Sequence, residues 1–95
     1  MADLAREEVL ALVRSGESLA ELDLSNLDLS GLSLCGADFE GADLSRADLS
    51  RSDLTAASFR LANLEGVRFT GALLRGVEWA DSSRRECDFS KAVWL

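Results

Sequence analysis

With 95 residues the chain suffices for one domain, and 47% apolar side chains leave material for a single narrow core. It contains no His and no Tyr, so the usual general base and a common acid are missing and its many Ser residues have nothing to activate them. A formal net charge of −7 argues against direct binding to nucleic acid, which wants clustered Lys and Arg.

Residues 3–15 are predicted to form a helix. Asp3 can cap its start, Glu7 and Glu8 suit its first turns, and Gly16 can close it. Leu4, Val9, Leu12 and Val13 give it an apolar side at helical spacing, as a lid over one end of a core requires.

From Leu24 onward a large apolar residue recurs every fifth position, and fourteen of the fifteen positions from Leu24 to Trp94 keep to it. Two residues earlier runs a second series of small or apolar residues, among them Ala37, Ala42, Ala47, Ser52, Ala57 and Cys87. A period of five fits neither a helix at 3.6 nor a continuous strand at 2, so it is an internal repeat. The unit Ala-Asp-Leu-Ser-Arg, at Ala42 to Arg46 and again at Ala47 to Arg51, and the variant from Ala37 to Gly41, resemble the pentapeptide-repeat family over residues 20–95. That resemblance implies an all-β solenoid: a right-handed quadrilateral parallel β-helix of about four coils, four pentads to a coil. The central Leu or Phe and the residue two before it would point inward. Residues 1–19 are then an N-terminal α-helical cap and residues 20–95 the rod.

Residue chemistry agrees with this geometry. Positions two apart share a face of an extended segment, and Gly31, Gly36, Gly41, Gly66, Gly71 and Gly76 recur where a tight corner is needed. There is no Pro to remove a ladder donor. With four pentads per coil, residues twenty apart stack ~4.8 Å apart. Phe39, Phe59 and Trp79 then share one column, and Leu49, Phe69 and Phe89 another. Arg84 falls in the inward column of Leu24, Leu44 and Leu64. Either the coil bulges there and Arg84 swings out, or the side chain reaches the open end toward Glu86 or a partner chain. A local distortion, with a wider last coil, is the expectation.

Acid is concentrated toward the N-terminal side: ten acidic and two basic residues up to Asp43, seven acidic and eight basic from Leu44 onward. Asp23 should stack on Asp43, and Asp28 on Asp48. These side chains read as solvated members of the repeat, or alternatively as an acidic mimic of DNA. The second reading follows the resemblance, since some pentapeptide-repeat proteins occupy the DNA site of DNA gyrase. Arg46, Arg51, Arg60, Arg68 and Arg75 interrupt such a surface here. Ser30, Ser50, Thr70 and Ser90 form an outward hydroxyl column. Cys35 faces out and Cys87 in, too far apart for a disulfide and unsuited to a zinc site. No cofactor and no metal are implied.

The sequence reaches Val93-Trp94-Leu95 in mid-coil with Trp79 and Phe89 in the last layer. Either the natural continuation is absent from this sequence, or Trp79, Phe89, Trp94 and Leu95 form an end through which two copies associate as a homodimer. The functional expectation is a non-catalytic structural or protein-interaction module with an unknown protein partner and no membrane contact. Arg-rich, Lys-poor usage suggests a bacterial source, and the lack of an apolar span or secretory signal suggests the cytoplasm.

Overall fold

Gly16 ends the helix as expected, at φ +78°, with its N–H on the carbonyl of Val13 at 3.0 Å and that of Glu17 on Leu12 at 2.9 Å. This pairing of the last carbonyls is a Schellman motif. In the computed structural model, which describes residues 4–94, the helix α1 spans Arg6–Arg14 rather than 3–15. Its start is organised by Glu8, whose Oε1 accepts the N–H of Ala5 at 2.9 Å. The Asp3 expected as the cap lies outside the described residues. Val9 is fully buried against the first coil, and Leu4, Leu10, Leu12 and Val13 pack beside it. Arg6 holds the outer side, its Nη1 2.9 Å from the carbonyl oxygen and 3.4 Å from the carboxylate of Asp28.

The rest of the chain winds into a four-sided tube. Parallel bridges join residues twenty apart, from Asp23 with Asp43 to Leu73 with Val93. Each side contributes only one bridge residue before the chain turns, so no side is long enough to make an extended strand. Three backbone bonds per pentad tie successive coils. Asp43 donates down to Leu22 at 3.0 Å, while Leu44 donates up to Asn63 at 2.9 Å and Arg46 to Glu65 at 2.7 Å. The corners are closed locally, as by Ala47 N–H on Leu44 O at 2.9 Å, with positive φ at the third residue. That is the pattern of a type II turn.

Every corner from Glu21 to Lys91 takes this left-handed conformation, six at Gly and nine at other residues, Leu61 (φ 62°) among them. For a non-glycine residue the conformation costs about 1–2 kcal/mol. The upward ladder bond made by the same N–H, as from Leu61 to Ala80 at 2.9 Å, helps offset it.

Packing of the inward residues follows the twenty-residue register. Phe39 stacks on Phe59 (5.0 Å between centroids, 10° between planes) and Phe59 on Trp79 (5.5 Å, 20°). Phe69 stacks on Phe89 at 5.1 Å and 1°. The two stacks meet edge to face across the tube, Phe59 with Phe69 at 5.7 Å and Phe69 with Trp79 at 5.5 Å. Such pairs add about 0.5–1.5 kcal/mol each beyond burial. The first column also reaches back one rung, because fully buried Leu19 already donates to Asp38 O at 2.9 Å. Buried Ala42, Ala47, Ala57, Ala62 and Ala72 leave room for the rings at the second inward position.

One inward position is polar for a reason. The fully buried hydroxyl of Ser52 donates to the carbonyl of Leu29 at 2.6 Å and accepts the N–H of Leu32 at 3.3 Å. It takes the place of a direct bond across that corner. Ser52→Ala therefore strands a buried donor and acceptor, and should lower stability by about 1–3 kcal/mol in urea denaturation. No loss would show that the corner closes without the hydroxyl.

Candidate functional site

The last coil ends in four inward side chains, Trp79, Arg84, Phe89 and Trp94. Trp94 lies 5.8 Å from Trp79 and 5.2 Å from Phe89, while Trp79 meets Phe89 edge-on at 5.9 Å. Trp79 and Phe89 are half-buried, and Trp94 keeps 48% of its surface exposed. Leu95, expected in the same surface, lies outside the described residues. Among the described residues, the upward N–H groups of Trp79, Asp81, Phe89 and Lys91 meet no backbone acceptor, in contrast to the coils below. Among the described residues this coil thus presents an aromatic platform beside N–H groups without a backbone acceptor.

The distortion expected at Arg84 does not occur. The bridges Asn63 with Ser83 and Arg68 with Asp88 continue through it, and Gly66 still donates to Arg85 O at 2.9 Å. Instead the exposed guanidinium lies over the Trp79 ring, 5.5 Å from its centroid. An inward position in the last layer borders the end surface, so the charge is not buried and the ladder has nothing to yield to. No ion pair with Glu86 is formed among the described residues.

The apolar character also spills over one edge. Leu73 and Val93 are bridge partners on one side of the tube, 40% and 43% exposed. They occupy the outward position that elsewhere carries polar or charged residues: Asp, Ser, Asn63, Arg68 and Glu78. That departure is visible in the pentads.

The acidic residues do form the expected stacks, Asp23 on Asp43 and Asp28 on Asp48. Their carboxylates, however, turn onto the chain's own corners. Asp23 accepts the N–H and hydroxyl of Ser25 at 3.0 and 2.7 Å, and Asp48 those of Ser50 at 2.9 and 2.6 Å. Asp28 does the same with Ser30, and Asp43 accepts the N–H of Ser45 at 3.0 Å. This Asx-type closure explains Asp at that position of the repeat. The hydroxyls of Ser25 and Ser30, followed by their N–H groups, hold the Asp23 and Asp28 carboxyls below the usual range. The same bonds occupy the hydroxyl column, since Ser30, Ser50 and Ser90 donate to Asp28, Asp48 and Asp88. Ser25, Ser45 and Ser50, which the repeat pattern places outside, are buried.

Neither cysteine is set up for chemistry. The Cys35 thiol lines a cleft of about 260 Å³ beside Val13, Ser18 and Asp38, and its bond to the Asp53 carboxylate raises its pKa. That disfavours the reactive thiolate. Cys87 is half-buried and donates to Leu64 O at 3.0 Å. Among the described residues no group of ligands could hold a metal ion, and no helix is long and apolar enough to cross a membrane.

A family model of pentapeptide repeats matches eight copies over residues 18–55 and 37–76. The chain belongs to the pentapeptide-repeat family. It is similar to a pentapeptide-repeat protein of the Arabidopsis thaliana thylakoid lumen, 36% identical over 81% of this chain and 57% of that one, with a TM-score of 0.70. A pentapeptide-repeat protein of Nostoc PCC 7120 shares the fold, at 21% identity, 93% and 74% coverage and a TM-score of 0.66. Among curated proteins none is significantly similar. The pentapeptide-repeat solenoid is a right-handed β-helix, and this chain is one, spanning little more than half of its thylakoid-lumen relative.

Proposed function

We propose that this pentapeptide-repeat protein is a non-catalytic interaction module that associates end to end with a second copy through its last coil. The aromatic platform carries this reading. Trp94 is 48% exposed beside half-buried Trp79 and Phe89, and exposed aromatics with a row of unpaired N–H groups suit a protein contact. In this reading residues 1–19 act as the lid of a rod formed by 20–95. α1 packs on the first coil, so stacking through that end is disfavoured.

The acidic decoy of a DNA-binding enzyme such as gyrase has less support. Asp23, Asp28, Asp43 and Asp48 are engaged in closing their own corners, and Arg68 follows Asp48 in the same column.

Sedimentation equilibrium at high micromolar concentration should give a dimer. Trp94→Glu should give a monomer with unchanged circular dichroism, because the side chain is at the surface. A wild-type chain that stays monomeric there would overturn the reading.

A further inference from the structure

We propose that one side of the tube is a docking surface for a short acidic segment of a partner protein, centred on Leu73 and Val93. This deepens the interaction-module reading above by naming the partner's chemistry, and it does not depend on the pairing of ends. The side carries the bridge column Ser33, Asp53, Leu73 and Val93. Leu73 and Val93 are exposed, whereas every other bridge residue among those described is polar or charged.

Charge sets this side apart. Among its described residues, 30–36, 50–56, 70–76 and 90–93, the cations are Arg51, Arg75 and Lys91 and the one acid is Asp53. That balance is positive in a chain whose net charge is −7. Asp53 is engaged with the chain itself. Its carboxylate accepts the N–H and hydroxyl of Thr55 at 3.1 and 2.6 Å, and it also feels Arg75. Arg51 and Lys91 share one corner column, two coils or about 10 Å apart. Arg75 lies across from them, beyond Leu73, so exposed cations border the apolar pair on both edges. Gly71 and Gly76 turn the corners beside Leu73 without a side chain, which lets a partner's backbone come close.

An apolar pair between cations complements an apolar residue flanked by carboxylates. The partner segment must be narrow, because the adjoining sides return to acid. One carries Asp28, Asp48 and Asp88 with Arg68, and the other Asp38 and Glu78. A nucleic-acid backbone reaching past the corners would meet those carboxylates. Shape disfavours a membrane, since Leu73 and Val93 are more than half covered and cannot reach into acyl chains.

The test uses the isotope-labelled chain and a blocked peptide of alternating Glu and Leu, with alternating Lys and Leu as control. Amide signals of Arg51, Leu73, Arg75, Lys91 and Val93 should shift with the acidic peptide and not with the basic one. The variants copy residues that the repeat already carries at the same positions, so each should fold. Leu73→Asn matches Asn63, Arg75→Glu matches Glu65, and Lys91→Glu matches Glu86. Leu73→Asn should weaken binding about fivefold or more through lost apolar contact. Arg75→Glu combined with Lys91→Glu should weaken it about tenfold or more. Trp94→Glu, which separates the ends, should still show the shifts, so loss of the pair and loss of this surface are told apart. No shifts on this side, equal binding of the basic peptide, or full affinity after the double charge reversal would overturn the proposal. Binding to phosphatidylserine vesicles without a response to the peptide would also overturn it, and would assign the side to a membrane.

Discussion

Phe59→Ala is expected to cost about 3–5 kcal/mol, as for other fully buried aromatic residues truncated in a core. The ring sits at the centre of the tube, stacked between Phe39 at 5.0 Å and Trp79 at 5.5 Å, with the edge of Phe69 at 5.7 Å. Successive coils are joined only through their neighbours, so a cavity in one rung weakens both adjoining layers. A domain of this size is stable by roughly 5–15 kcal/mol, and the substitution would remove a large part of that. Urea denaturation followed by circular dichroism measures the loss. Phe59→Leu, which keeps most of the volume, should cost under about 1.5 kcal/mol. A loss below 1 kcal/mol for the alanine variant would mean that the ring is not held in a stack.

The second large effect contrasts two positions of one column. Leu64→Arg places a guanidinium directly beneath Arg84, at a fully buried site covered by the last coil. Burying an unpaired charge there should cost several kcal/mol and leave the chain largely unfolded at room temperature. Arg84→Leu, the reverse exchange one coil higher, should fold normally and melt no lower than wild type. Thermal denaturation of the two variants separates the cases. If Leu64→Arg folds stably, the layers are open enough for a side chain to escape, and a closed tube is excluded.

That contrast also explains what could be read from the residues alone. The five-residue period places Phe39, Phe59 and Trp79 inward, and the family's four pentads to a coil bring them into one column. A buried residue must match its vertical neighbours, so the core is written in the pattern. At the surface the constraint relaxes, and there the sequence reading went astray. Arg84 in an inward column leaves two outcomes, a bulge or a side chain reaching the end of the tube. The sequence reading favours the bulge, whereas the ladder continues and the guanidinium lies over the Trp79 ring. The helix begins at Arg6, where Glu8 reaches back to the N–H of Ala5, a bond that Glu8's suitability for the first turn did not reveal.

Other features were hidden in residue types with two meanings. Asp23 and Asp48 carry charge, but their placement reflects hydrogen bonds to the next corner. Ser52 could pass for one more small inward residue, yet it bridges Leu29 and Leu32. Corner residues such as Arg51 and Leu61 resemble no glycine, and still adopt the same left-handed backbone because the ladder requires it. The platform itself could be anticipated from Trp79, Phe89 and Trp94. Its extension over Leu73 and Val93 follows from the same twenty-residue register, which makes them bridge partners.

The most direct test is a nuclear Overhauser survey of the isotope-labelled chain, recording which backbone protons approach one another between residues 23 and 93. A four-sided tube predicts contacts at a separation of twenty along the whole span, as between Asn63 and Ser83 or Leu73 and Val93. Contacts at another fixed separation, or only between near neighbours in the chain, would contradict it.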